Sequence, residues 1–202
     1  MQEAEVSLRI AIYHIVNGLT NQDVIVSLDG AHIKTKDVIH FDIWKFFEEN
    51  HVMKMDGNSS DYKGIYQILG YNTKIIITSK PGIGDVNVIL KDGTNLYIES
   101  KKGKANKSSQ EYPLMREAIG QLMTGCELGN GIIPAVAVPY SKKSYDLANK
   151  WSKLPQMKKM GIKFYLVQEN GDIVIVSRRA IHGELSCLHS FFRFIFISIP
   201  VY

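Results

Sequence analysis

Cysteine is scarce in this chain, with only Cys126 and Cys187 in 202 residues. Two thiols so far apart in sequence build neither a disulfide framework nor a zinc site. They read as small buried residues of a reducing compartment. The start, Met-Gln-Glu-Ala-Glu, lacks the basic residues and apolar core of a secretory leader, so a cytoplasmic location is expected. The most apolar stretch, near the C-terminus, is too short and too charged for a membrane span, and no membrane partner is expected. Its phenylalanines and isoleucines suit a last core strand or a dimer contact. P-loop and dinucleotide fingerprints are missing, and with them any expectation of a nucleotide cofactor. The six histidines show no H-x-x-x-H or HNH-type spacing. Repeats and low-complexity segments are missing too.

What is present is an ordinary globular composition, 45% hydrophobic and 22% charged, long enough to bury a core. The whole chain, 1–202, is expected to fold as a single domain. Residues 1–72 read as an N-terminal helical extension with short strands, 73–140 as the core, and 141–202 as a helix, strands and the apolar tail. Val6, Leu8, Ile10, Ile12, Ile15 and Val16 fit a helix that ends at Gly18. Asp37 has the character of an N-cap for a helix reaching about residue 50, with Ile39, Ile43, Phe46 and Phe47 inward. Strands are expected at 65–69 and 74–79, the second leading directly into a hairpin. A helix carrying Met115 and Leu122 follows, then an apolar run at 132–138 that suits a strand buried on both faces.

The hairpin carries the most information. Residues 84–90 read G-D-V-N-V-I-L and residues 94–101 read T-N-L-Y-I-E-S-K, separated by Lys91-Asp92-Gly93. Asp-Gly between two β-forming runs is a strong turn signal. A three-residue loop with Gly93 left-handed pairs Leu90 with Thr94, Val88 with Leu96, and Val86 with Ile98. Alternation then puts the apolar residues on one face and Asp85, Glu99 and Lys101 on the other. Carboxylates directly opposed have Cβ atoms roughly 5 Å apart. Such a pair repels unless a cation lies between, so the arrangement points to a metal site with a lysine beside it.

Asp85, Glu99, Ser100 and Lys101 resemble the motif of the PD-(D/E)XK nuclease superfamily, with Gly84 where that pattern has proline. The resemblance implies an α/β fold with a restriction-endonuclease-like αβββαβ core, a mixed central sheet flanked by helices. It also implies an Mg²⁺- or Mn²⁺-dependent enzyme hydrolysing DNA. Asp85, Glu99 and the Ser100 carbonyl would hold the metal, hard oxygen donors for a hard ion. Lys101 would position water and stabilise charge. Gln121, one turn from Glu117 on the following helix, and Glu48 on an earlier helix are accessory catalytic candidates.

Net charge is only +4, but its distribution is uneven. Lys102, Lys104 and Lys107 follow the motif with no acid among them, and Lys142 and Lys143 open a second basic stretch. Such local density suits a polyanion. The expected activity is therefore restriction-type DNA cleavage by a homodimer. A Holliday-junction resolvase or other structure-specific nuclease is the alternative. A third possibility, of another class, is a nucleic-acid-binding module that keeps the fold without cutting.

Overall fold

The computed structural model describes residues 1–30, 32–35, 38–55, 57, 61–79, 84–103, 110–125, 129 and 131–178. The chain opens with helix α1 (Glu3–Val16), strands β1 (Val24–Ser27), β2 (His32–Thr35) and β3 (Val38–Asp42), and helix α2 (Ile43–Glu49). Strands β4 (Val52–Lys54), β5 (Gly64–Ile68), β6 (Lys74–Thr78), β7 (Val86–Ile89) and β8 (Asn95–Ser100) come next. Helix α3 (Glu111–Gly125), β9 (Ile132–Pro139), α4 (Lys142–Trp151), α5 (Pro155–Met160), β10 (Lys163–Val167) and β11 (Ile173–Val176) complete it.

The hairpin has the expected register. Val86 pairs with Ile98 and Val88 with Leu96, while the Leu90 N–H donates to the Thr94 carbonyl at 2.8 Å. Gly93 takes φ +82°. The Asp92 carboxylate accepts from the Thr94 N–H, which fixes the turn from inside. Around this hairpin the described strands form one mixed sheet of nine, ordered β11-β10-β9-β8-β7-β1-β6-β5-β4, with β2-β3 a separate ribbon.

The strand beside β7 is β1, not β6 as the chain order suggests. β1 is antiparallel to β7 and β7 to β8, while β8 and β9 run parallel across α3. The central run is therefore α1-β1-β7-β8-α3-β9, with everything from β2 to β6 inserted between β1 and β7. β6 is chained to β1 in parallel, Val24 opposite Ile75 and Val26 opposite Ile77, one strand further out. Accordingly α1 is no N-terminal extension. It packs across β1, β7, β8, β9 and β10, burying Val6, Leu8, Ile10 and Ile15 against Val86, Val88, Leu96 and Ile98. Ala135 and Ala137 on β9 let the helix come close. Each such fully buried aliphatic side chain contributes about 2 kcal/mol of transfer free energy.

The opposite face alternates with it. Tyr97, Val136, Val138, Phe164 and Leu166 pack against Met115, Ala118 and Leu122 of α3 and Trp151 of α4. Two local expectations change. The helix expected from Asp37 begins six residues later, because Val38-Ile39 pair in the β2-β3 ribbon and Asp42 caps instead, accepting from the Trp44 and Lys45 N–H groups. Ile39 is exposed on β3 rather than turned into the core. Asp37, Lys104, Lys107, Cys126, Cys187 and the apolar tail lie outside the described residues. Among the described residues, no helix is long and apolar enough to cross a membrane.

Gly84, just before the hairpin, takes φ +70°, a region closed to proline, and a Cβ there would stand 2.8 Å from the Tyr97 ring. Gly93 is left-handed too but has open space around it. Gly84→Ala should therefore destabilise by about 2–3 kcal/mol and Gly93→Ala by about 1 kcal/mol, strain acting on both and collision on the first alone. Urea midpoints measure this, and equal losses would contradict the packing at Gly84.

Candidate functional site

β7 begins at the sheet edge where β1, β6, β8, β9 and β10 end, the carboxyl edge at which open α/β sheets place ligands. Asp85 sits one residue before β7. Its carbonyl accepts from the Ser27 N–H at 2.9 Å and its N–H donates to the Ile98 carbonyl at 3.0 Å. The regular ladder ends at Val86 and Ile98, so Asp85 and Glu99 are not a ladder pair. Their side chains meet all the same. Asp85 Oδ2 accepts from the Ser100 N–H at 2.6 Å, and the Asp85 charge is felt by the Glu99 carboxyl.

Within an extended strand the N–H and C=O of one residue point the same way. The Ser100 carbonyl is therefore turned toward Asp85, while Lys101 reverses and donates its N–H to Ala137 at 2.8 Å. The Lys101 side chain is only 6% exposed. Its Nζ lies 3.0 Å from Glu3 Oε1 on α1 and 3.9 Å from Glu117 Oε1 on α3. Two helices on opposite faces of the sheet thus reach one ammonium.

The charges do not balance. Burial raises the Asp85 carboxyl to about 6 despite the Ser100 N–H, and the Glu3 charge adds to the rise. Burial, then the Asp85 charge, raises Glu99 to about 7, with Lys101 pulling the other way. For Lys101 burial acts downward, but the Glu3 hydrogen bond and the charges of Glu3, Asp85 and Glu117 outweigh it, and the net direction is up. Lys101 is held as a cation. The site has more carboxylate than its one lysine can neutralise, which suits added positive charge.

Glu3, Asp29, Asp85 and Lys102 line a groove of about 430 Å³ beside these groups. Glu3 and Asp29 escape sequence reasoning, because they join the site only if α1 and β1 belong to the central run. Glu117 was paired with Gln121 by spacing. Glu117 makes the contact with Lys101, and a Cβ on Gly125 would stand 3.8 Å from Glu99 Oε1. Gln121 is exposed between them on the same helical face. Glu48 is not brought to the site: it is exposed on α2, which packs on β4, five strands from β8. Lys142 and Lys143 occupy the first turn of α4.

The donor set fits an octahedral hard cation of the Mg²⁺ type, which is held by one or two carboxylates and keeps several waters. Asp85, Glu99 and the Ser100 carbonyl are hard oxygen donors of the kind such an ion would take from protein. Among the described residues, no three His, Cys, Asp or Glu side chains converge as a complete cage. Comparison with protein families, with curated proteins and with solved structures gives no match.

The two raised carboxyl groups bind protons more tightly folded than unfolded. Their stabilisation is full below about pH 4, the unfolded range, and is lost as pH rises through 6 and 7. Glu99→Gln should therefore stabilise the EDTA-treated protein at pH 8, by about 2 kcal/mol in urea unfolding, and bring no gain at pH 4. No difference at pH 8 would mean that the carboxyl groups are not in electrostatic tension.

Proposed function

We propose that this chain is a Mg²⁺- or Mn²⁺-dependent endonuclease acting on DNA, built on a restriction-endonuclease-like core. One observation carries the reading: Asp85, Glu99 and Lys101 converge at the end of one hairpin, within the order α1-β1-β7-β8-α3-β9. That order and its strand directions agree with the αβββαβ core that the motif implies. Restriction-type cleavage is the first form proposed, with a homodimer supplying one site per DNA strand. Cleavage of branched DNA is the second.

Asp85, Glu99 and the Ser100 carbonyl would hold the metal. When bound, it supplies Lewis acidity at the phosphate and a water of lowered pKa. The chain's own groups do the rest. Lys101, kept protonated by Glu3 and Glu117, cannot act as a resting base, so it orients water and offsets charge growing on the phosphate. Positive charge in the first turn of α4 opposes the helix dipole, so an anion approaching Lys142 there would relieve a local cost. DNA phosphate is such an anion.

Purified protein should cut plasmid DNA in Mg²⁺ or Mn²⁺ and not in EDTA. Asp85→Ala and Glu99→Ala should abolish cutting while DNA affinity in Ca²⁺ holds or rises. Lys101→Ala should lower single-turnover cleavage at least about 100-fold with little loss of affinity. Full cleavage by Asp85→Ala would sink the assignment. Discrete plasmid fragments identify restriction, cutting confined to branched DNA identifies resolution, and retardation without cutting identifies a binding module.

Lys102, Lys142 and Lys143 should behave differently from Lys101. Alanine at each true phosphate contact should reduce the slope of log affinity against log salt by roughly 0.9. A slope unchanged in the triple variant would remove these lysines from the interface.

A further inference from the structure

A second cavity, of about 500 Å³, opens where β9 and β10 end, between the first turns of α3 and α4. Its apolar wall includes Leu114, Pro139 and Tyr140. Its polar wall includes Glu111 and Gln168. Lys102 lines both this cavity and the groove holding Glu3, Asp29 and Asp85. The two recesses are therefore joined at one cation, and whatever chain follows the groove passes the mouth of the cavity.

Glu111 is the telling residue. Its Oε1 accepts from the Ser141 hydroxyl at 3.3 Å, while Oε2 is buried with no hydrogen-bond partner among the described residues. An unpaired buried acceptor is costly, and evolution keeps few of them. The terminal torsion of a glutamate is soft, so this oxygen can turn to the cavity that its side chain lines. The missing partner of this oxygen is a hydrogen-bond donor.

We propose that this cavity receives a nucleobase bearing an exocyclic amino group, taken out of the stack next to the scissile phosphate. The inference rests on the nuclease reading and narrows its substrate. The base faces lie against Leu114, Pro139 and Tyr140, the amino group donates to Glu111, and Lys102 holds the intervening phosphate. A base inside a duplex cannot enter, so unpaired or easily extruded nucleotides are favoured. Thymine, with no amino group, fits worst among the bases.

Fluorescent single-stranded oligonucleotides of cytosine, adenine or thymine, and an abasic one, would be titrated in Ca²⁺ with the full chain. Cytosine and adenine should bind roughly tenfold more tightly than thymine or the abasic strand. Glu111→Gln should erase that preference. Leu114→Trp, which fills the cavity, should reduce the affinity for every base to that of the abasic strand, with the melting temperature confirming that it folds. Equal binding of all four strands by the wild type, with Mg²⁺-dependent cutting intact, overturns the cavity assignment alone. A preference that survives in folded Glu111→Gln and Leu114→Trp overturns it too. Binding of no oligonucleotide at all overturns it together with the nucleic-acid reading. Base preference sensitive to Glu111, in a protein that never cuts, upholds the cavity and removes the nuclease.

Discussion

A single buried ammonium ties the molecule together. Lys101 leaves the end of β8 with almost no exposure and meets Glu3 from one face of the sheet and Glu117 from the other. Taking an ammonium out of water costs several kcal/mol after relaxation, and an unpartnered lysine there would lose its proton instead. Two carboxylates on two helices keep it charged. The positions of α1 and α3 over the sheet therefore depend on apolar packing for their energy and on Lys101 for their alignment at this edge. Glu3 stands in the first turn of α1, where a carboxylate also complements the helix dipole.

That solution leaves Asp85 and Glu99 without enough positive charge. Both are pushed upward by burial, Asp85 adds to the rise at Glu99, and Glu3 adds to both. A protein built for stability alone would replace one of them with an amide. Retaining both, with Asp85 held on the Ser100 N–H, is the kind of local conflict expected where function outweighs stability. The tension is specific in sign. It disfavours the ionised pair, and on the proposed reading a divalent cation would relieve it, so that binding and electrostatic relief would be one event.

The parts of this arrangement legible in sequence are those set by local chemistry. Asp92-Gly93 fixes the turn, the turn fixes the register, and the register sends Val86, Val88, Leu96 and Ile98 to one face, all within a few residues. Even there, one detail resists. Gly84 rotates the chain through a left-handed conformation, and Asp85 meets Glu99 through its carboxyl group rather than across the ladder. What could not be read is which strand lies beside β7. Nothing local distinguishes β1 from β6, since both are short and apolar and they pair with each other. Choosing β6 makes α2 the neighbouring helix and Glu48 the natural acid. With β1 in place the helix is α1 and the acid is Glu3. Likewise Asp37 reads as the cap until the β2-β3 ribbon claims Val38 and Ile39, and Asp42 takes that place.

Strand alternation also separates two adjacent lysines. Lys101 turns into the carboxylate cluster, and Lys102, one residue on, is exposed where groove and cavity meet. Gly103 follows, so close to Pro139 that a Cβ would stand 2.7 Å from its ring. The exit from β8 is therefore pressed against the end of β9, and Lys102 is held at the junction by backbone rather than by its own flexible stem. On the proposed reading this divides the labour by geometry. The buried lysine, immobile and always charged, acts where a phosphate reacts, and the exposed one, on a fixed backbone, steers the strand between two recesses. Neither role could be exchanged without reversing the pleat, because adjacent residues of a strand are turned to opposite faces.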